Sequence, residues 1–372
     1  NNITFTGKGR FQLGSEYNGF IDVGNCIFRD FGYVEQNSGF ANLPSAPGGL
    51  SFGYGFIITR TYQVLFHDCF GLRGWHTIDA SRGTMQTQVS DCFFDRNSFG
   101  VSSHEGAWYV IVKDCVFDGN NGITMARNLY GVVENCEFRN LSENGIVYSG
   151  QMIEMRVANN RFAYNPASAS SQSAIFDGDN LSPITPQAGA VSTGFPRVFE
   201  MHGNTVIGQC RCYAGFSGSS DQGRLSVNNN TFRDFVDFRV SAMNETSIKG
   251  NEAFDVGGQF MFTLGCSSGN PTVMCVNNTH GGGAAVAAGG AMFAISGSNT
   301  PTLFFYNNSC ALQYLIRFNS NLTVQNVVNC TNRTERLFLN TGTVTNAINN
   351  NYKISIATTT TVTNSVNNNV LS

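Results

Sequence analysis

Five short segments of the chain repeat one pattern: Asn25-Cys26-Ile27-Phe28, Asp68-Cys69, Asp91-Cys92-Phe93-Phe94, Asp114-Cys115-Val116-Phe117 and Asn135-Cys136-Glu137-Phe138. Cys69, Cys92 and Cys115 follow one another at intervals of 23 residues, and Cys136 comes 21 residues later. The echo continues at Asn159-Asn160-Arg161-Phe162, Asn229-Asn230-Thr231-Phe232, Asn277-Asn278-Thr279, Asn307-Asn308-Ser309, Asn329-Cys330-Thr331 and Asn349-Asn350-Asn351. A period of about 20–25 residues marks a solenoid, in which each unit contacts only its neighbours. The chain is therefore expected to be elongated, although its 372 residues would suffice for two or three ordinary domains.

The content of each unit selects the kind of solenoid. Leu at fixed offsets, the mark of a leucine-rich repeat, is missing. Helical periodicity, which ankyrin and tetratricopeptide units need, is missing too. The apolar runs are short and β-branched or aromatic, as in Phe56-Ile57-Ile58-Thr59 and Tyr109-Val110-Ile111-Val112, and turn residues bound them. One coil of a parallel β-helix needs three short strands and three turns, which suits the period. The expected fold is all-β, a right-handed parallel β-helix.

In such a fold equivalent residues stack at the strand spacing of about 4.8 Å. Cys26, Cys69, Cys92, Cys115 and Cys136 should form a column of small buried side chains. Phe28, Phe94, Phe117, Phe138, Phe162 and Phe232 should form an aromatic stack two residues further on. The recurring Asn can bond along the axis through its amide and tolerates a left-handed corner. Eleven cysteines would suggest disulfides in a small secreted chain. Here the count is odd and five lie in repeat register, so a thiol column is the better reading. Cys210-Arg211-Cys212 lacks the spacing of a zinc site. The Asn-x-Ser/Thr sequons at Asn140, Asn180, Asn244, Asn321 and Asn332 read as a by-product of Asn-rich corners.

Composition supports a strand-and-turn protein: 13% charged residues, 41 Gly and 41% hydrophobic residues. A net charge of −3 provides no basic field for nucleic acid. No signal peptide or apolar run of membrane-spanning length is seen, so membrane insertion is not expected. The chain opens on a strand-like run, Ile3-Thr4-Phe5-Thr6, as if it began inside a longer protein.

Residues 1–319 read as the β-helix body. Its rhythm breaks at 163–200, where Pro166, Pro183, Pro186 and Pro196 suggest two loops around a short strand, Ala174 to Asp179. Inserted loops on a rigid scaffold commonly carry function. The Gly/Ala run 281–291 reads as a loop or, less simply, as a packing site between chains. From 320 to 372 Asn, Thr and Val dominate, and the marks at Cys330, Asn350 and Asn369 are 20 and 19 apart. Such narrow coils are expected to bury no core of their own, and hence to pack as one face of a triangular stem made by three chains.

The Asn/Asp-Cys-x-Phe ladder resembles the right-handed β-helix proteins of the pectate-lyase-like superfamily, and more narrowly the receptor-binding body of phage tailspikes. That resemblance implies a homotrimeric, virion-borne, extracellular protein for host cell attachment, whose partner is a bacterial surface polysaccharide: capsule, exopolysaccharide or O-antigen. Many such spikes are glycosidases (hydrolases), some are lyases, and others only bind. The calcium-binding Asp set and catalytic Arg or Lys of the lyase branch do not map onto this chain. Gly-x-Ser-x-Gly and His-Glu-x-x-His are not present either. No cofactor and no metal is expected.

Candidate chemistry follows from aligning the coils on Ile78, Val101, Ile123, Ile146 and Phe176. If these point inward, Asp79, Ser102, Thr124, Val147 and Asp177 point outward and floor a groove. Asp177 and Asp179 share one strand face at about 6.6 Å between Cα atoms. Inverting glycosidases hold their carboxyls about 6.5–9.5 Å apart, and like-charge proximity raises one pKa as a general acid requires. The competing reading is a solvated Asp177-Gly178-Asp179-Asn180 turn. The second candidate pair is Asp79 with Glu105, beside His104, Arg82 and Arg127; a surface salt-bridge ladder is its simpler explanation. Glu200 is a reserve acid. Trp75, Trp108 and Tyr148 offer rings for the apolar face of a sugar, with Trp108 equally suited to a core.

Overall fold

A computed structural model describes residues 3–6, 11–30, 54–74, 76–81, 83–97, 99–103, 107–119, 121–126, 128–141, 144–149, 152–164, 173–177, 197–208, 210–216, 223–234, 237–254, 260–266, 270–281, 290–297, 300–357 and 359–371. The chain forms two compact units, residues 1–165 with 181–190 and residues 166–180 with 191–372. Each is an all-β parallel solenoid, and the described residues contain no helix.

In the first unit the short strands Thr4–Thr6, Ile27–Arg29, Phe70–Leu72, Phe93–Asp95, Val116–Asp118, Glu137–Leu141 and Arg161–Tyr164 stack in parallel. Their register aligns Phe28, Gly71, Phe94, Phe117, Phe138 and Phe162. Two residues earlier lie Cys26, Cys69, Cys92, Cys115, Cys136 and Asn160, all buried. The coils are stitched at this column: Cys26 O accepts from Phe70 N and Cys69 O from Phe93 N, each at 2.9 Å. Each thiol donates to the carbonyl two residues back, Cys92 to Ser90 at 3.1 Å and Cys115 to Lys113 at 3.2 Å. Contact with the next thiol pushes Cys69 and Cys92 up in pKa, and burial pushes Cys115 up. All eleven cysteines are buried and unbridged, so they serve as packing groups.

The residue before the column turns the corner. Asn25, Asp68, Asp91, Asp114, Asn135 and Asn159 have φ between 53° and 55°. Asn and Asp are the non-glycine residues that enter this left-handed region most readily, which is why the repeat places them before Cys. Phe94, Phe117, Phe138 and Phe162 then stack with centroids 4.9, 4.8 and 4.6 Å apart. The stack stops at Gly71, where an added Cβ would lie 2.7 Å from both Phe94 and Thr77. Beyond the gap Phe28 stacks on Phe5 at 5.0 Å and also meets Phe56 and Phe66 edge-on.

The second unit repeats the architecture with a different column. Asn204, Asn230, Asn251, Asn278, Asn308, Cys330 and Asn350 are buried at the position that cysteine holds in the first unit. Asn278 shows the logic. Its Oδ1 accepts from Asn251 N at 3.1 Å and Asn251 Nδ2 at 2.9 Å. Its Nδ2 donates to Ile248 O at 2.9 Å and to Asn308 Oδ1 at 3.0 Å. The corners are again left-handed, at Gly203, Asn229, Gly250, Asn277, Asn307, Asn329, Asn349 and Asn367. The aromatic stack does not extend to Phe232, whose register neighbours are Val206 and Ala253.

One sequence expectation about the C-terminal coils needs correction here. Pairing is continuous through residue 320, as Thr302–Tyr306 pairs with Thr323–Val328 and Tyr314–Phe318 with Arg336–Leu339. The narrow coils also bury a core, since Val324, Val327, Cys330, Leu337, Phe338, Val344 and Ala347 are fully inaccessible. Three short strands and a left-handed corner still enclose a row of side chains in a coil of this length. Within 163–200 the expected short strand is present as Ser173–Asp177 and pairs with Arg211–Ala214. Of the Gly/Ala run, residues 282–289 lie outside the described residues.

Candidate functional site

The row of Ile78, Val101, Ile123 and Ile146 is in register and fully buried, as the alternation predicts. The row that alternates with it is no open floor. Asp79 is 5% exposed, Ser102 0% and Thr124 6%, and among the described residues of the row only Val147 is half-buried. Tyr148 is buried completely and its ring belongs to the core, which corrects its expected role against a sugar. Glu200 is tied to Arg224 at 2.9 Å across one coil. Asp177 ends the strand Ser173–Asp177, and its side chain lies outside the described residues. Asp179, Glu105, His104, Arg82, Arg127 and Trp75 also lie outside them. Among the described residues no cluster of three His, Cys, Asp or Glu could hold a metal ion.

The first unit displays a different face. The end of Tyr54–His67 and the strands Gln86–Ser90, Tyr109–Lys113, Tyr130–Glu134 and Glu154–Ala158 stack in register. Val64, Phe66, Val89, Val110, Val112, Val133, Met155 and Val157 point into the core. The alternate residues face outward in three rows. The first is Phe20, Gln63, Gln86, Tyr109, Tyr130 and Glu154. The second contains Leu65, Gln88, Ile111, Val132 and Arg156, and the third His67, Ser90, Lys113 and Glu134.

Aromatic groups concentrate in the first row. Tyr109 and Tyr130 stack with centroids 4.3 Å apart and planes within 6°. Tyr109 is 43% exposed, its neighbour Trp108 45% and Phe20 56%. Trp108 is thus a surface ring. Burial, and then the Tyr109 phenol beside it, holds the Tyr130 hydroxyl above its ordinary pKa, so it stays a neutral donor and acceptor. Two pairs cross from the second row to the third among the described residues: Arg156 with Glu134 at 2.9 Å, and Asp22, in register with Leu65, with His67 at 3.0 Å.

Chemically this is a rigid column of rings, amides and hydroxyls repeating at about 4.8 Å, close to the length of one sugar ring. Tyr combines an apolar body with a polar tip, which suits a ligand with alternating C–H and O–H faces. The sequence held a signal for it that the strand-by-strand reading passed over. Gln63, Gln86, Tyr109, Tyr130 and Glu154 each stand six residues before the column members Cys69, Cys92, Cys115, Cys136 and Asn160. No family model matches the chain, and neither curated proteins nor solved structures provide a match, so the reading of this face rests on its own geometry.

Proposed function

We propose that this chain is a β-helical receptor-binding protein of the phage tailspike type, carried on a virion and acting outside the cell, that holds a bacterial surface polysaccharide along the tyrosine row of its first unit. The observation that carries the reading is the stacked pair of exposed Tyr109 and half-buried Tyr130 in a row that also holds Gln63, Gln86 and Glu154. Preorganised rings lose little entropy on binding. In a test with capsule, exopolysaccharide and O-antigen fractions, Tyr109→Ala and Tyr130→Ala should each weaken binding by about 5–30-fold, or about 1–2 kcal/mol. Unchanged affinity in both would remove the site.

The hydrolytic arm of the proposal rests on Asp177 and Asp179, since Asp79 is buried and Glu200 is engaged by Arg224. New reducing ends from wild type and none from Asp177→Asn support an endo-glycosidase. Binding without reducing ends identifies a non-catalytic adhesin, and an unsaturated product a lyase.

Homotrimer formation is part of the same proposal. In the second unit Val276, Tyr306, Val328, Ile348 and Val366 form one outward row. Beside it Asn326, Asn346 and Asn364 link side chain to side chain at 2.8 Å. These two rows are uncharged and partly apolar, the profile of a surface that meets copies of itself. Light scattering should return three times the chain mass of 40.3 kDa; a monomer at micromolar concentration would refute it.

A further inference from the structure

The first unit carries a half-open surface pocket of about 260 Å³ that no residue of the tyrosine row lines. Three successive coils line it: Ile3 and Thr4 from one, Asn25 and Ile27 from the next, Asp68 and Phe70 from the third. Thr4, Ile27 and Phe70 are in register on the outer side of the short-strand ladder. Asn25 and Asp68 are left-handed corner residues of two adjacent coils. The volume falls just below the roughly 300 Å³ at which drug-sized pockets begin, so it suits a ligand of one ring.

The polar wall of this cavity is held by a relay. Asp68 Oδ2 accepts from His67 Nδ1 at 2.8 Å, and Asp22 Oδ1 accepts from His67 Nε2 at 3.0 Å. Carboxylates only accept, so the two together favour the protonated ring, in which both nitrogens donate. The Asp68 hydrogen bond, working against burial, and then Asp22 hold His67 above its ordinary pKa. Gly24 makes the arrangement possible, since a Cβ there would collide with the His67 ring. One bond from His67 leaves Asp68 with acceptor room, because a carboxylate has about four lone-pair sites. The apolar wall is Phe70, 49% exposed and backed by Phe93 at 6.2 Å.

We propose that this cavity is a second carbohydrate site, a pocket for a single neutral pyranose. Phe70 covers the C–H face of the sugar, while Asp68 accepts from its hydroxyls and Asn25 both donates and accepts. Two carboxylates, Asp22 and Asp68, face one histidine, and this negative excess disfavours uronates and other acidic sugars. The residues that line the pocket belong to the short-strand ladder and its corner, not to the tyrosine row, and only the supporting Asp22 and His67 stand on the strands of that face. The pocket stands even if that row binds nothing.

Saturation-transfer NMR with glucose, galactose and mannose at millimolar concentration, and with glucuronate as the acidic comparator, tests the assignment. Transfer is expected from at least one neutral hexose and not from glucuronate. Phe70→Ala and Asp68→Asn should each reduce it by about tenfold or more. Asn is at home in a left-handed corner, so the second variant keeps the fold. Phe70→Tyr should retain transfer, and Tyr109→Ala should leave it unchanged while weakening polysaccharide binding. No transfer from any neutral hexose, equal transfer from glucuronate, or undiminished transfer in Phe70→Ala would each overturn the proposal.

Discussion

Replacing Asn278 by Leu is expected to lower the stability of the second unit by about 3 kcal/mol or more, although Leu is nearly isosteric and more apolar. The loss comes from groups left behind. Asn251 N loses its acceptor, Asn251 Nδ2 loses one of its two, and Ile248 O loses the Asn278 amide donor. Each buried polar group left unsatisfied costs about 1–3 kcal/mol. Asn278→Cys should cost less, because Cys330 occupies the same column between Asn308 and Asn350 and keeps its own N–H bonded to Asn350 at 2.8 Å. Coils contact only their neighbours, so hydrogen exchange should quicken first in the flanking segments 245–254 and 302–310. Equal denaturation midpoints for Asn278→Leu and wild type would show that the amide ladder contributes no net stability.

Phe117→Ala is expected to destabilise the first unit by about 3–5 kcal/mol, toward the upper end of that range. Phe117 is 1% exposed and stacked on both sides, by Phe94 at 4.9 Å and Phe138 at 4.8 Å. Truncation removes both ring contacts, each worth about 0.5–1.5 kcal/mol beyond area burial. The hole also resists collapse. Gly100 lies against the edges of the Phe94 and Phe117 rings and Gly122 against Phe138, so neither has a side chain to move into it. Phe117→Leu should recover part of the loss by filling volume without restoring the stack. Chemical denaturation followed by near-ultraviolet circular dichroism reads both variants; a loss under about 1 kcal/mol for Ala would mean that the column repacks around the gap.

The two substitutions probe one design rule written in two ways. Each coil must turn a left-handed corner and then present a small buried group whose neighbours lie one strand spacing above and below. Cysteine meets that need with a thiol that donates to its own coil, as Cys92 does to Ser90. Asparagine meets it with an amide that bonds to the next coil as well, as Asn230 does to Asn251 at 2.9 Å. The change from one to the other occurs at Asn160, whose Oδ1 accepts from Cys136 N at 2.8 Å.

The chain's own period was enough to determine the coil, its corners, its cysteine column and the inward row Ile78, Val101, Ile123 and Ile146. Each of these is local: a left-handed residue, a small buried one and a strand alternation recur at fixed offsets, and stacking converts offset into position. Alternation also said which way Asp79 and Ser102 face. It could not say whether that side is open, because exposure depends on what packs above a strand, and tertiary structure alone left Asp79 at 5% and Ser102 at 0%. The same holds for Tyr148, buried where a surface ring was expected, and for Tyr109, exposed and stacked on the half-buried Tyr130 where a plain strand was read. The Asp22–His67–Asp68 relay joins Asp22 to a histidine 45 positions away, beyond the reach of any local pattern. Spacing along the chain sets the register of a solenoid; only the assembled coils decide which of its faces meet water.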